Sequence, residues 1–415
     1  MSRFLGFAWR ARCDNGRSET PRPPLMDNRA SGQCAQPAAF DREHGMNRRC
    51  RTWSLALLAA VPLAVGASDR LELADFVPPH DGCYDRSASP QTAVVDTHVH
   101  FRPFGGPAHA FDDVVAFMER TGVRFANVYG IGQMLPLGSP CTYYLDCPGV
   151  PVRPTLKNDF SNVLNLLDSP PDNVHLTLSM TFFDLERPDK VLEGIALLDE
   201  EFPGLFRWAG EVNLVKQALF GNSHRAVPLE AIARWKPFMS LLRERGIPFA
   251  VHSDLGSDTE PMKYAAWIEE VLRLYPNNPI VWMHMGLSRE LTRIDPQAHL
   301  SFMRSLMDRY PMLMVDISWR IIDDALFSKP ELRGAYLGFI EQYSERVLPG
   351  SDFVASADKS FETYREELRV TSSILGHLSN EAFRNIALGE NYFRLLSLDF
   401  SAPPICSSAP AQPAG

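Results

Sequence analysis

Short, nearly continuous apolar runs alternate with longer amphipathic runs from about residue 90 onwards. Strands buried on both faces of a parallel sheet are continuously apolar, whereas a helix repeats its apolar residues every three or four positions. Eight strands are predicted: Ala93–His98, Arg124–Ile131, His175–Phe182, Phe206–Leu214, Pro248–Ser253, Ile280–Met285, Leu313–Ser318 and Val347–Asp352. The amphipathic runs predict eight helices: Phe111–Thr121, Asp159–Leu167, Pro188–Glu201, Pro228–Arg245, Met262–Tyr275, Ala298–Tyr310, Pro330–Ser344 and Asp358–Leu375.

Eight strand–helix units predict an α/β fold, a (β/α)8 TIM barrel that forms a single catalytic domain over residues 93–400. The alternative is a doubly wound open sheet, whose first strand is followed by a G-x-G-x-x-G fingerprint in dinucleotide-binding members. Here the segment Asp96-Thr-His-Val-His100 stands at that position instead. The Pro-rich segment Pro136–Phe160 is interpreted mainly as an insertion after the second strand.

The first part of the chain differs from the rest. Residues 1–45 are rich in Arg, Pro, Ser and Gly and have no periodicity, which indicates a non-native or disordered leader. From Met46, a basic stretch, the apolar run Trp53–Val65 and a small-residue site ending at Ala67 follow in the order of a signal peptide. A short buried helix is the alternative. We therefore expect a signal peptide at 46–67, an N-terminal segment at 68–92, and a periplasmic or secreted mature protein.

Charge and cysteine content fit that interpretation. Residues 1–67 carry ten Arg and five acidic residues, whereas the remainder carries 31 basic and 45 acidic residues. The acidic balance argues against a nucleic-acid partner, and no apolar run in the mature chain is long enough to span a membrane. A small-molecule substrate is expected, and a homo-oligomer is possible. Cys141 and Cys147 are predicted to form a disulfide, with Cys83 and Cys406 as a second pair, and residues 401–415 are predicted to be disordered.

Histidines and acids recur where the predicted strands end. The histidines are His98, His100, His252 and His284, and the acids are Glu211, Asp316 and Asp352. The carboxyl ends of the strands form the catalytic face of a TIM barrel, and residues two apart on a strand point the same way. Burying so many polar groups without a ligand is costly, so the pattern predicts a metal site.

With these residues the sequence resembles the amidohydrolase superfamily from about Val94 to Leu398. The segment 96–100 matches the HxH motif of the first strand, and His252, His284 and Asp352 match the family's fifth-, sixth- and eighth-strand residues. The closing segment Ile386–Leu396 is similar to that of the amidohydrolase-related branch, which includes the aminocarboxymuconate-semialdehyde decarboxylase-like enzymes. One departure is Glu211, which stands where many binuclear members have a carboxylated lysine; Lys216 lies five residues on, beyond the predicted strand.

The resemblance implies a metal-dependent hydrolase. A divalent ion, for which we expect Zn²⁺, is assigned to His98, His100, His252 and Asp352, with one or two ions in total. Asp352 is the expected proton acceptor, and His284 either binds a second ion or stabilises the oxyanion. The scissile group is an amide, ester or lactone carbonyl.

The alternative function is a non-oxidative decarboxylase with a carboxylated, often aromatic substrate. For it, Arg102 is a candidate to bind the carboxylate and Trp319 to stack on a ring; an ordinary surface arginine and a core tryptophan are the alternative interpretations. A barrel that only binds ligand is a third possibility, against which the complete ligand set argues.

Glu211 decides the form of the site. Strand alternation places Ala209, Glu211 and Asn213 on one face. If that face lines the barrel, Glu211 is either a direct ligand that bridges two ions or a group that orients a ligand imidazole. A buried glutamate held by a lysine or arginine is the alternative.

Overall fold

A computed structural model describes residues 70–407, and its main sheet is parallel. The first seven strands are β1 (Val95–His100), β2 (Phe125–Tyr129), β3 (His175–Met180), β4 (Phe206–Val215), β5 (Phe249–Ser253), β6 (Ile280–Trp282) and β7 (Leu313–Asp316). The eighth, β8, has two pieces, Val347–Leu348 and Phe353–Val354. The first piece pairs with β7 and the second with β1, so the sheet closes on itself. The predicted (β/α)8 barrel is confirmed.

Helices follow the strands in chain order. They are α1 (Phe111–Thr121), α2 (Lys157–Asp168), α3 (Pro188–Glu201), α4 (Lys236–Glu244), α5 (Ala265–Leu274), α6 (Pro296–Arg309), α7 (Pro330–Gln342), α8 (Phe361–Ser372), α9 (Asn380–Ile386) and α10 (Glu390–Leu396), with short turns at Leu229–Ile232 and Arg320–Ile322. In α3 the apolar stripe Val191, Ile195 and Leu198 is fully buried, as the helical period requires. The single helix predicted over Pro228–Arg245 is wrong in its first part, because a 3₁₀ turn at Ala233–Trp235 separates Leu229–Ile232 from α4.

The closing segment Ile386–Leu396 forms hydrogen bonds with the barrel. The Asn391 side chain in α10 donates hydrogen bonds to the backbone oxygens of Ser344 (2.7 Å) and Val347 (2.8 Å). The hydroxyl of Tyr392 lies 2.6 Å from that of Thr177 in β3. These contacts attach the last helix to the strands.

The expected disorder from Ser401 is wrong for residues 401–407. Ala402 is fully buried, and its carbonyl accepts a hydrogen bond from the Arg384 guanidinium at 2.7 Å. The predicted disulfide Cys83–Cys406 is formed and joins this segment to the chain before β1. Pro, Ala and Ser can thus be ordered by contacts with other segments. The leader predicted over 1–45, the signal peptide predicted over 46–67 and the last residues 408–415 lie outside the described residues 70–407.

The segment after β2 is a long loop on the carboxyl side of the barrel. It contains a two-stranded hairpin, Gln133–Met134 with Arg153–Pro154, and the predicted disulfide Cys141–Cys147. Both cysteine predictions are therefore confirmed. Within residues 70–407, no helix has the length and apolar content needed to cross a membrane.

Candidate metal centre

Apart from Glu211, which lies midway along β4, the predicted histidines and acids lie at the carboxyl ends of the strands or shortly after them. His98 and His100 end β1, Glu211 lies in β4, and His252 lies in β5. His284 follows β6, Asp316 ends β7, and Asp352 lies between the two pieces of β8. Except for Asp352, whose side chain is 15% exposed, these residues are buried. Closure of the barrel therefore gathers them into one polar group.

His98, His100 and Asp352 converge most closely. Nε2 of His98 lies 3.1 Å from Nε2 of His100 and 3.4 Å from Oδ1 of Asp352, and His100 Nε2 lies 3.3 Å from the same oxygen. Ligand atoms of a tetrahedral zinc site with bonds of about 2.0–2.1 Å stand roughly 3.3 Å apart. The three atoms therefore have the spacing that one divalent ion needs.

The other ring nitrogens of these two histidines are held in place. His100 Nδ1 donates to the carbonyl oxygen of Gly130 at 2.6 Å. His98 Nδ1 lies 2.9 Å from the Ser318 hydroxyl and 3.3 Å from Asp316. Metal-binding imidazoles are characteristically fixed in this way by a carbonyl or a carboxylate. Asp316 thus orients the histidine, and Ser318 is a site residue that the sequence reasoning missed.

Glu211 lies between two pairs of histidines. Its Oε2 lies 3.9 Å from His98 Nε2 and 3.6 Å from His100 Nε2. Its Oε1 pairs closely with His252 Nδ1 and lies 3.8 Å from His284 Nε2. The Glu211 carboxylate therefore lies between the histidine pair His98 and His100 and the pair His252 and His284.

A lysine lies beside Glu211 and His252. Lys216 directly follows β4, and its buried Nζ lies 3.2 Å from Oε1 of Glu211 and 3.3 Å from His252 Nδ1. The His252 Nε2 atom contacts Asp254 at 2.9 Å, so both ring nitrogens of this histidine have protein partners. Glu211 therefore has the histidine neighbours that a role in the metal site requires, and also the lysine neighbour of the alternative interpretation. The sequence did not predict Lys216 or Asp254 as site residues. Asp254 could have been found from its spacing, because it stands two residues after His252.

A bulge in β4 aims Glu211 into the barrel. The pairing of β4 with β5 shifts between Ala209 and Val212, so one extra residue stands on β4. Gly210 has φ +106°, and a Cβ there would collide with the carbonyl oxygen of Ala250. Glycine is therefore required immediately before the site carboxylate.

The electrostatics favour bound positive charge. Burial alone raises the pKa of Asp352, but His98, His100 and His284 outweigh it and hold that pKa well below its usual range. Burial lowers the pKa of His284, yet Asp316 and Glu211 overcome this and raise it to about 10. Buried carboxylates thus stabilise cations here, whether protons or a divalent ion.

Unusual backbone conformations cluster at the same place. Four of the six described non-glycine residues with positive φ lie here: His284 (55°), Met285 (52°), Trp319 (74°) and Asp352 (55°). Such conformations cost roughly 1–3 kcal/mol each and are concentrated at functional sites. The predicted strand over Ile280–Met285 therefore ends early, at Trp282, because His284 turns out of the extended conformation.

A cavity of about 420 Å³ opens at the candidate metal ligands His100 and Asp352. His100, Lys216 and Asp352 lie in its wall, as does Trp319, whose ring centre is 5.0 Å from that of His284. Arg102 is half-buried and is not among the residues of this wall. Its assignment to substrate binding therefore stays a prediction without a contact to support it.

The solved structures that this chain is similar to have low sequence identity to it. Dihydroorotase from Campylobacter jejuni is 15% identical over 74% of this chain and 84% of its own, with a TM-score of 0.46. An amidohydrolase from Burkholderia multivorans with bound zinc is 14% identical over 74% of this chain and 99% of its own, with a TM-score of 0.43. Dihydropyrimidinase from Brevibacillus agri is 10% identical over 77% and 74%, with a TM-score of 0.46.

No curated protein matches the chain significantly in sequence. The family profile described as Amidohydrolase matches residues 171–385, which include Glu211, His252, His284 and Asp352. Because this match spans more than half of the 415 residues, the protein is a member of the amidohydrolase family.

Proposed function

We propose that this amidohydrolase is an exported, metal-dependent hydrolase that cleaves an amide, ester or lactone carbonyl of a small molecule. The convergence of His98, His100 and Asp352 at tetrahedral spacing, beneath a cavity of about 420 Å³, carries the proposal. Imidazole and carboxylate ligands suit Zn²⁺. A divalent ion bound there supplies Lewis-acid activation of water and of the scissile carbonyl.

The residues of the chain divide the remaining work. Of Glu211, Asp316 and Asp352, Asp352 is the one in the cavity wall, whereas the Glu211 side chain is only 6% exposed. Since its pKa is held low, Asp352 is ionised at neutral pH and can accept the proton of the attacking water and pass it to the leaving group. Asp316 and Glu211 raise the pKa of His284 to about 10, so its protonated imidazole would stabilise the developing oxyanion.

Chelation tests the metal dependence. Exhaustive removal of metal should abolish turnover of a panel of esters, lactones and amides, and one added equivalent of Zn²⁺ per chain should restore it. The protein-bound zinc is measured in parallel. Turnover that survives when the bound metal has been removed would contradict the proposal.

The decarboxylase alternative rests on the closing segment Ile386–Leu396 and on the aromatic and cationic cavity wall, which suit a carboxylated substrate. It is distinguished by carbon dioxide release from a panel of aromatic carboxylic acids, measured beside hydrolysis of the first panel. Release of carbon dioxide without hydrolysis would replace the leading proposal.

Export is part of the proposal. The basic and apolar stretches over 46–67 support it, and so does the pairing of all four cysteines of the described chain in two disulfides, which persist in oxidising compartments. The intact mass of protein from the secreting host should correspond to a chain that begins near Ser68. A soluble cytoplasmic protein with an intact start at Met1 or Met46 would contradict export.

A further inference from the structure

One wall of the cavity is aromatic and is built on the disulfide loop. Tyr143 and Tyr144 lie between Cys141 and Cys147, and their hydroxyls are 3.2 Å apart. Tyr144 packs edge-on against Phe104, with ring centres 4.6 Å apart. Trp319 lines the cavity as well. The inserted loop thus contributes flat apolar surface to the substrate cavity.

Arg289 lies at the rim of this wall. Its guanidinium carbon is 5.8 Å from the ring centre of Tyr143 and 6.0 Å from that of Trp319, at the outer range of cation–π contact. The Arg289 side chain is exposed, and within the described residues it has no ion pair with an acid, the exposed cavity residue Asp146 included. Two aromatic rings therefore lie beside an exposed guanidinium in the cavity wall.

The other cations of the cavity wall are matched by acids. Lys216 contacts Glu211 at 3.2 Å, Arg320 contacts Asp324 at 3.3 Å, and Lys359 contacts Glu367 at 3.3 Å. Among the cavity residues of the described chain, Arg289 alone offers a positive charge without an acidic partner. An anionic group of a ligand would supply that partner.

The distance from Arg289 to His284 limits the size of the ligand. The Trp319 ring centre is 5.0 Å from the His284 ring and 6.0 Å from the Arg289 guanidinium carbon, so the guanidinium lies at most about 11 Å from the imidazole. A ring with substituents at both ends bridges a gap of this order. The face of such a ring can lie against Tyr143 and Trp319.

We infer that Arg289 is a specificity residue that binds a carboxylate of the substrate, and that the substrate class is a small carboxylic acid whose flat apolar part separates this carboxylate from the reacting carbonyl. A guanidinium fork matches a carboxylate bidentately, and the flanking rings hold it in place. The inference rests on the proposed function for the reacting end of the substrate, and on Arg289 for the other end.

A pair of probes tests this end alone. Terephthalate and benzoate differ by one carboxylate, and their dissociation constants are measured by calorimetry on the zinc-loaded protein. Wild type should bind terephthalate about 10- to 100-fold more tightly than benzoate, which is the gain expected from a charged hydrogen bond. In Arg289→Met this preference should disappear, and in Arg289→Lys it should return in part, because the charge is kept and the fork is lost.

Arg320→Met is the matched control, since Arg320 lines the same cavity but already pairs with Asp324. It should keep the preference for terephthalate, and thermal unfolding should show that all variants are folded. A wild type without the preference, an Arg289→Met variant that retains it, or an equal loss in Arg320→Met would overturn the inference. If the preference behaves as expected while no member of the ester, lactone and amide panel is turned over, the proposed hydrolase function fails and the carboxylate site stands.

Discussion

The histidines on the two sides of Glu211 have different partners. His98 and His100 present Nε2 atoms to each other and to Asp352, while their Nδ1 atoms are held by Ser318, Asp316 and the Gly130 carbonyl. His252, in contrast, contacts acids through both nitrogens and lies beside the Lys216 ammonium.

The difference teaches that residue type alone does not make a metal ligand. The side of Glu211 with His98 and His100, the first side, is arranged for an ion, because the free nitrogen lone pairs converge and the two imidazole rings are fixed. On the second side the ammonium of Lys216 lies 3.2 Å from Glu211 Oε1 and 3.3 Å from His252 Nδ1, so a protein cation already compensates the carboxylate. We therefore expect one tightly bound ion, on the side of His98 and His100.

Replacing a ligand on the first side should have the largest effect. His100→Asn removes one of three converging atoms, so bound zinc should fall to a small fraction of one ion per chain and turnover should fall by about 1000-fold. Metal analysis and steady-state kinetics check this. The exposed His377→Asn is the control and should change neither quantity. Full metal content and turnover in His100→Asn would remove this histidine from the site.

Removing the protein cation should alter the second side. Lys216→Met leaves Glu211 uncompensated, so the metal-free protein should lose about 3–5 kcal/mol of unfolding free energy, as when one partner of a buried pair is removed. Zinc titration should then show a second bound equivalent that recovers part of this stability. Lys359→Met, whose ion pair is more exposed, is the control and should change little. Unchanged stability with a single bound ion would contradict the compensation by Lys216.

Glu211→Gln keeps the shape of the side chain and removes its charge. Because the ligands on the first side remain, we expect zinc affinity or turnover to fall by about 10- to 100-fold, the range for groups that orient a ligand. Competition with a chelator measures the affinity, and the surface variant Glu193→Gln is the control. Complete loss of metal would identify Glu211 as a direct ligand, whereas unchanged affinity and turnover would exclude it from the site.

The smallest effect is expected at Asp159, which lies beside Gly130, the residue whose carbonyl holds His100. Burial raises the pKa of Asp159 in α2 to about 7, although Thr181 donates two hydrogen bonds to it. The folded protein therefore favours the protonated form; the associated stability is complete below about pH 4 and is lost as the pH rises through 7.

Asp159→Asn should remove this dependence. Between pH 5 and 6, wild type should lose about 1 kcal/mol of unfolding free energy relative to the variant. Urea unfolding at the two pH values measures the difference, and Asp189→Asn on the surface of α3 serves as the control. A difference between wild type and Asp159→Asn that does not change with pH would show that Asp159 is ionised in the folded protein throughout this range.

The sequence by itself determined the architecture and the main chemical group. Apolar runs and amphipathic repeats are local consequences of which side chains leave water, and they located all eight strands, with α1 and α3 at their exact bounds. The two-residue spacing of His98 and His100 also fixes a shared direction, since alternate residues of a strand point to one face. Because each strand–helix unit contributes one strand end to the same face of the barrel, the sequence also predicted where the acids and histidines gather.

The tertiary structure alone decided how these groups are partnered. Lys216 reaches Glu211 only because β4 ends where it does, and Arg289, rather than Arg102, lines the cavity because the loops from β2, β6 and β7 meet there. Cys406 orders the tail by joining a residue 323 positions earlier. Hydrogen bonds and charge compensation depend on distances of a few ångströms between residues far apart in the chain, and local periodicity carries no information about such distances.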